Sequence, residues 1–231
     1  MLCLWIALCC GSVPSTLSEE LADFTNQSLL EVPKNISAET THLDLGYTNI
    51  QILRKDGLAH LPNLQHLFVQ HTPLRIIEKH AFKGTQLTRI VFSSNQLKVF
   101  PYLLDISETL KTFRLIKNGL RVIKEEHLLG LNKLEKLYLS DNHIYRIPDI
   151  KTLLPSLVHF DFASMQIECC DKLLPLKAFT NETLDVTKRP CSYPPELKPE
   201  IWWSIATDAV NKPCPESRRT LNLCAKHFIE R

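Results

Sequence analysis

Glycine is scarce in this chain, with six in 231 residues. Phosphate-cradling loops are built from glycines, because backbone N–H groups must come close to the phosphate. The chain also has no G-x-S-x-G nucleophile turn and no H-E-x-x-H zinc helix. These absences point away from nucleotide-binding enzymes, serine hydrolases and metalloproteases. The expectation is a protein that is not an enzyme and uses no cofactor or metal. Charge bias is missing too: 27 basic and 25 acidic residues are mixed along the chain and leave a net charge of +2. A nucleic-acid partner calls for a concentrated basic face, so none is expected. Beyond residues 1–12 no apolar run approaches the roughly 20 residues of a membrane-spanning helix. The closing CAKHFIER is no lipid-anchor signal, so stable membrane insertion is not expected either. Cysteine is absent from residue 11 to residue 168.

What the chain does have is a period. The pattern L-x-x-L-x-L-x-x-N-x-L starts at Thr40, Leu64, Leu87, Leu110, Leu134 and Leu157, in steps of 24, 23, 23, 24 and 23 residues. Its fourth and sixth positions are always Leu, Val, Ile or Phe, so a period-two strand buries one side and exposes the other. A fixed step of this size with one short strand per unit predicts an α/β solenoid. The form is a leucine-rich-repeat horseshoe, with a parallel β-sheet on the concave face and a mostly irregular convex side. Apolar residues of the second half-units, such as Leu53, Leu58 and Leu61, or Ile123, Leu128 and Leu131, plug the core from the convex side. The ninth position holds Asn95, Asn118 and Asn142 in the middle units, where an amide satisfies backbone groups between coils. Thr48 and Thr72 do part of this. Met165 cannot, so that ladder is expected to stop at the last coil.

The ends differ from the middle. Residues 1–15 read as a signal peptide, residues 16–39 as a cysteine-free N-terminal cap and residues 40–167 as the six repeats. Residues 168–214 form a disulfide-bonded C-terminal cap, and 215–231 a basic tail. The N-terminal cap is expected to hold by packing of Leu21, Phe24, Leu29 and Leu30. Three glycosylation sequons begin at Asn26, Asn35 and Asn181, all outside the repeats proper. Cys169, Cys170, Cys191 and Cys214 follow the last repeat, where the terminal coil has no neighbour to cover its core. Neighbouring Cys169 and Cys170 are poor partners for each other, but which distant cysteine each takes is open among three pairings. A zinc knuckle on these four is disfavoured, since ligand pairs are usually spaced C-x₂₋₄-C. Cys224 is left over, either as a free thiol or as a bond that joins two chains. Trp202 and Trp203 read as part of a short amphipathic helix in the cap.

The stretch LLEVPKNISAETTHLDLGYTNI at 29–50, the repeats and the trailing cysteines resemble extracellular leucine-rich-repeat proteins. Toll-like receptor ectodomains, Slit-type modules and variable lymphocyte receptors are similar in style over roughly residues 29–214. Two departures stand out. Such families usually carry paired cysteines ahead of the V-P, and this chain has none there. Their C-terminal cap more often shows C-x-C than C-C. The resemblance implies a secreted, extracellular recognition protein, in innate immunity or receptor modulation. The alternative is a structural, matrix or adhesion glycoprotein acting through several surfaces and a disulfide-linked homodimer through Cys224.

The strand residues between the buried leucines point out from the concave face. There the third position reads His42, His66, Arg89, Thr112, Lys136 and His159, and the fifth Asp44, Phe68, Val91, Arg114, Tyr138 and Asp161. The eighth reads Tyr47, His71, Ser94, Lys117, Asp141 and Ser164. Phe68, Val91, Ile116 and Tyr138 are large apolar groups that the fold does not require at these places. Arg89, Arg114, Lys117 and Lys136 stand around them, with His66 and His71 at one side. Aromatic groups set beside arginine are the composition of a protein-binding hot spot. The expected ligand is a protein or another extracellular macromolecule.

Overall fold

The computed structural model describes residues 20–165, 167–178, 185–186, 191–197 and 202–213. Its strands are β1 (Leu21–Asp23), β2 (His42–Asp44), β3 (Ile52–Leu53), β4 (His66–Phe68), β5 (Ile76–Ile77) and β6 (Arg89–Val91). They continue with β7 (Thr112–Arg114), β8 (Lys136–Tyr138), β9 (His159–Asp161), β10 (Ile167–Glu168), β11 (Asp185–Val186) and β12 (Cys191–Tyr193). Two one-turn helices, α1 (Ile150–Leu153) and α2 (Thr207–Val210), join several 3₁₀ turns. One parallel sheet runs β1-β2-β4-β6-β7-β8-β9-β11, so each repeat contributes one strand to a solenoid. The register is uniform: His42, His66, Arg89, Thr112, Lys136 and His159 pair in turn, as do Asp44, Phe68, Val91, Arg114, Tyr138 and Asp161.

The middle residue of each strand points inward. Leu43, Leu67, Ile90, Phe113, Leu137 and Phe160 are fully buried, and so is the next column: Leu45, Val69, Phe92, Leu115, Leu139 and Phe162. Each such side chain contributes about 1.5–3 kcal/mol relative to leaving it in water. From the convex side Leu53, Leu58, Leu61, Phe82, Ile123, Leu128 and Leu131 close the core, as their spacing predicts. Phenylalanines fill its middle, with Phe100 edge-on to Phe113 at 5.6 Å between centroids and Phe92 likewise at 6.2 Å.

The turn after each strand has one backbone solution. The eighth residue of every repeat, from Tyr47 through His71, Ser94, Lys117 and Asp141 to Ser164, is left-handed with φ between 54° and 57°. Its N–H reaches the next coil: Tyr47 donates to the Gln70 carbonyl, His71 to Ser93, Ser94 to Ile116, Lys117 to Ser140 and Asp141 to Ala163. These bonds hold an orientation that non-glycine residues otherwise avoid. The ninth-position amides complete the turn. Asn118 accepts from the Leu97 N–H at 3.1 Å and donates to the Phe92 carbonyl at 2.8 Å. Asn142 repeats this with Leu120 at 3.1 Å and Leu115 at 2.8 Å. Thr72 instead donates both its N–H and its hydroxyl to Asn95 of the next coil. Met165 sits buried at the corresponding place.

The segment before the first repeat is itself a degenerate coil. β1 pairs with β2, the Asn26 N–H donates to the Gly46 carbonyl, and Asn26 has φ 60°, like every eighth-position residue. The packing expected of this segment is corrected in part. Phe24 and Leu29 lie against the core, joined by Val32 and Ile36, but Leu21 and Leu30 are 63 % and 72 % exposed. Alternation explains Leu21: in β1 it is Ala22 that aligns with buried Leu43. At the other end β10 pairs with β12, and Cys169 is bonded to Cys191, 22 residues away, with Cα atoms 5.4 Å apart. Closing a loop of that length stabilises by about 3 kcal/mol in the chain-entropy model. Cys170 is disulfide-bonded too. Trp202 is fully buried on a 3₁₀ turn rather than a longer helix. The Lys177 ammonium lies 4.2 Å from its ring centroid and donates to the carbonyls of Trp202 and Ile205. Burial pulls the Lys177 pKa below the ordinary lysine range.

The proposed signal peptide at 1–15, Asn181, Cys214, Cys224, the tail at 215–231 and the Trp203 side chain lie outside the described residues. Within them, no helix is long and apolar enough to cross a membrane, and no three His, Cys, Asp or Glu side chains converge as a metal site would.

Candidate binding face

The concave sheet brings most of the proposed ligand-binding residues together. Parallel strands stand about 4.8 Å apart, so a column of equivalent positions forms one continuous surface. Along the fifth column Phe68, Val91, Arg114 and Tyr138 are consecutive neighbours, and along the third His66, Arg89, Thr112 and Lys136. Phe68, Arg89, Arg114, Ile116, Tyr138 and His66 are half-buried, while His71, Lys117 and Lys136 are exposed. Val91 does not fit the expectation: it is only 4 % exposed. Its short side chain stands between the longer Phe68 and Arg114 of the same column, so it forms floor rather than contact surface.

Pairing of side chains between neighbouring strands was not legible in the spacing. The Arg114 guanidinium lies 4.1 Å from the Tyr138 ring centroid, and that of Arg89 lies 5.7 Å from the Phe68 ring. A guanidinium over an aromatic face keeps its in-plane N–H groups available for an anion, and the ring limits its rotamers. In both arginines the Nε atom is shielded from solvent and has no acceptor among the described residues. The half-buried guanidinium groups as a whole, held on their rings, suit a carboxylate, sulfate or phosphate. Histidines extend the aromatic surface: His159 lies 4.5 Å from Tyr138, His66 4.1 Å from His42, and His71 stacks on Tyr47 at 4.7 Å.

Charge changes along the face. At its N-terminal end Asp23 and Asp44 are register partners. Burial raises the Asp44 pKa above the usual carboxylate value; the Gly46 N–H, at 2.8 Å, opposes this, and the charge of Asp23 adds to it. Hydrogen bonds from Thr25 lower the Asp23 pKa. A Cβ at Gly46 would meet the Asp44 carboxylate at 3.0 Å, so that side chain would have to give by a few tenths of an ångström. The middle of the face is basic through Arg89, Arg114, Lys117 and Lys136. Asn26 and Asn35 are both exposed. Asn26 occupies the eighth-position place of the degenerate coil, so a glycan there would border the sheet's N-terminal end.

Comparison with known proteins agrees with this geometry. A Leucine Rich Repeat family model matches residues 133–160, the fifth repeat with its strand β8 and the entry to β9. The chain carries leucine-rich repeats. Biglycan of Sus scrofa is 35 % identical over 121 residues, which is 52 % of this chain and 44 % of that protein. Toll-like receptor 8 of Homo sapiens is 29 % identical over 137 residues, 53 % of this chain and 13 % of the receptor. Epiphycan of Gallus gallus is 27 % identical over 120 residues, 51 % of this chain and 36 % of that protein. This leucine-rich-repeat chain thus spans less than half the length of each of these relatives.

One contributor was missed from sequence. β1 widens the concave face by a strand, and its signal was present: ELADFTNQSLL sets Ala22, Phe24 and Leu29 where THLDLGYTNI sets Leu43, Leu45 and Ile50.

Proposed function

We propose that this leucine-rich-repeat chain is a secreted, non-enzymatic recognition protein that holds an extracellular macromolecule on its concave face. The observation that carries the reading is the pair of arginine–aromatic contacts, Arg114 on Tyr138 and Arg89 on Phe68, which hold two guanidinium groups in place on the concave sheet. Idle surface has no need of such pre-oriented cations, whereas an interface with an anionic partner draws its strength from them. The action is mass action: the bound partner is sequestered or presented. A relative named as a receptor is consistent with recognition, and innate defence or receptor modulation is the biological setting we favour.

A second reading is a matrix or adhesion glycoprotein that works through several surfaces. Its supports are the two exposed sequons, at Asn26 and Asn35, and the leftover Cys224. The two readings separate in one experiment. Tagged protein is secreted from eukaryotic cells and used to capture partners from the extracellular fluid of the source, beside a folded Phe68→Ala, Arg114→Glu, Tyr138→Ala variant. Partners held only by the unaltered protein support concave recognition. Partners held equally by both defeat it and favour the matrix reading.

A further inference from the structure

A different face carries the second inference. Just past the last leucine of the second, third and fourth motifs, on the side of the solenoid between sheet and convex segments, the chain repeats a basic residue followed by an aliphatic one. The pairs are Arg75-Ile76, Lys98-Val99 and Arg121-Val122, preceded in the first repeat by Gln51-Ile52. The fold does not use these aliphatic groups as core, because the next residue does that work: Leu53, Phe100 and Ile123 are buried and Ile77 packs against the core. Ile76 is 46 %, Val99 72 % and Val122 45 % exposed. Four successive coils thus carry one apolar stripe, flanked over three of them by cations.

The cations are unneutralised. Arg75, Lys98 and Arg121 have no carboxylate within ion-pair distance among the described residues. The acids nearby are engaged: Glu78 faces Arg54, Asp105 accepts from His80 at 3.0 Å, and Glu126 pairs with Lys124 at 3.0 Å.

The stripe also opens into a hollow. β3 and β5 form a small parallel ladder on this flank, in which the Glu78 N–H donates to the Leu53 carbonyl at 2.8 Å. The equivalent residue one coil later is Pro101, which has no N–H to give, so the ladder cannot continue there. Beside that break lies a hollow of about 440 Å³, lined by Arg75, Ile76, Lys79, Val99, Tyr102 and Leu104 among others. Tyr102 is held in place by Lys79, 4.9 Å from its ring centroid, and by the edge of His80.

We propose that this flank is a docking surface for a partner protein, and that it takes a segment whose aspartate or glutamate residues accompany exposed Leu, Ile or Val. The charge pattern selects the occupant. Three unpaired cations beside an aliphatic row favour an acidic, apolar segment and oppose a second copy, which would bring the same cations face to face. An acyl chain is poorly served, because small-molecule sites enclose most of their ligand and Val99 stands largely in solvent. The surface is separate from the concave face and stands or falls independently of it.

The test pans a phage-displayed random peptide library on the immobilised full-length chain. Enriched peptides are then titrated against three proteins: the unaltered chain, a flank variant (Arg75→Glu, Val99→Ser, Arg121→Glu) and a concave variant (Arg114→Glu, Tyr138→Ala). All three substituted flank positions are exposed, and thermal unfolding checks that each variant is folded. Val99→Thr alone keeps shape and charge while it removes apolar surface, so it tests the stripe should the triple variant misfold. The expected peptides combine acidic with aliphatic residues, bind the concave variant as well as the unaltered chain, and bind the flank variant about tenfold more weakly. Three results would overturn the proposal: no enrichment over bare support, enriched peptides without acidic residues, or equal binding to the flank variant. Phosphatidylserine vesicles binding in a Val99-dependent way, with no peptide doing so, would also overturn it.

Discussion

Asn118→Ala offers a measure of how strongly the coils are tied together. Asn118 is 7 % exposed and its amide bridges two coils. Its Oδ1 accepts from the Leu97 N–H at 3.1 Å, and its Nδ2 donates to the carbonyls of Phe92 at 2.8 Å and Leu115 at 3.2 Å. Alanine leaves the Leu97 amide buried with no acceptor, and Leu97 itself is only 1 % exposed, so water cannot readily replace the bond. A stranded buried donor costs about 1–3 kcal/mol, and the weakened carbonyls bring the expected loss to about 2–4 kcal/mol. Asn118→Thr should fall between, because Thr48 shows what a hydroxyl manages here: one bond to the carbonyl three residues back, at 2.8 Å. Asn49→Ala is the control, at an exposed position whose side chain makes no hydrogen bond among the described residues. Urea unfolding at an unchanged m-value gives the magnitude, and hydrogen exchange at the Leu97 amide gives the place. A loss below about 0.5 kcal/mol, with Leu97 exchange unaltered, would refute the argument that the amide ladder joins the coils.

The other expectations concern the concave face. Lys117 is left-handed with φ 56°, a conformation that costs an ordinary residue about 1–2 kcal/mol, while glycine loses about 0.5–1 kcal/mol through its freer unfolded chain. Lys117→Gly should therefore raise stability by about 0.5 kcal/mol, and Lys117→Val should lower it by about 1 kcal/mol or more, in the same unfolding assay. Asp44, whose folded pKa is raised chiefly by burial, contributes fully below its unfolded pKa, and that contribution is lost as pH rises through the folded value. Asp44→Asn keeps an acceptor for the Gly46 N–H, so it should stabilise the protein at neutral pH and lose that advantage in acid below the carboxylate range. Melting curves across that interval check the sign, and an advantage that grows in acid would contradict it.

The repeating part of the fold was legible because it is a local code copied along the chain. Alternation within each motif sets which side chains enter the core, and a step of 23 or 24 residues sets equivalent positions beside one another. The third and fifth columns read from the sequence are the register partners in the sheet. The leading segment was less legible, since its motif is degenerate and Ala22 stands where a leucine normally signals a strand. The flank stripe was written in the sequence as Arg-Ile, Lys-Val and Arg-Val pairs, but exposed and buried aliphatic residues look alike in a one-dimensional pattern.

The sequence alone determined the solenoid, its six regular repeats and the direction their strand residues face, because those follow from periodicity. Only the tertiary structure decided that Val91 is floor between Phe68 and Arg114, and that Arg114 stacks on Tyr138. It also decided that Cys169 takes Cys191 and that Pro101 opens a hollow on the flank. Each of these depends on the size, rotamer or missing N–H of a residue as met by a neighbour roughly one coil away, and no local pattern carries that information.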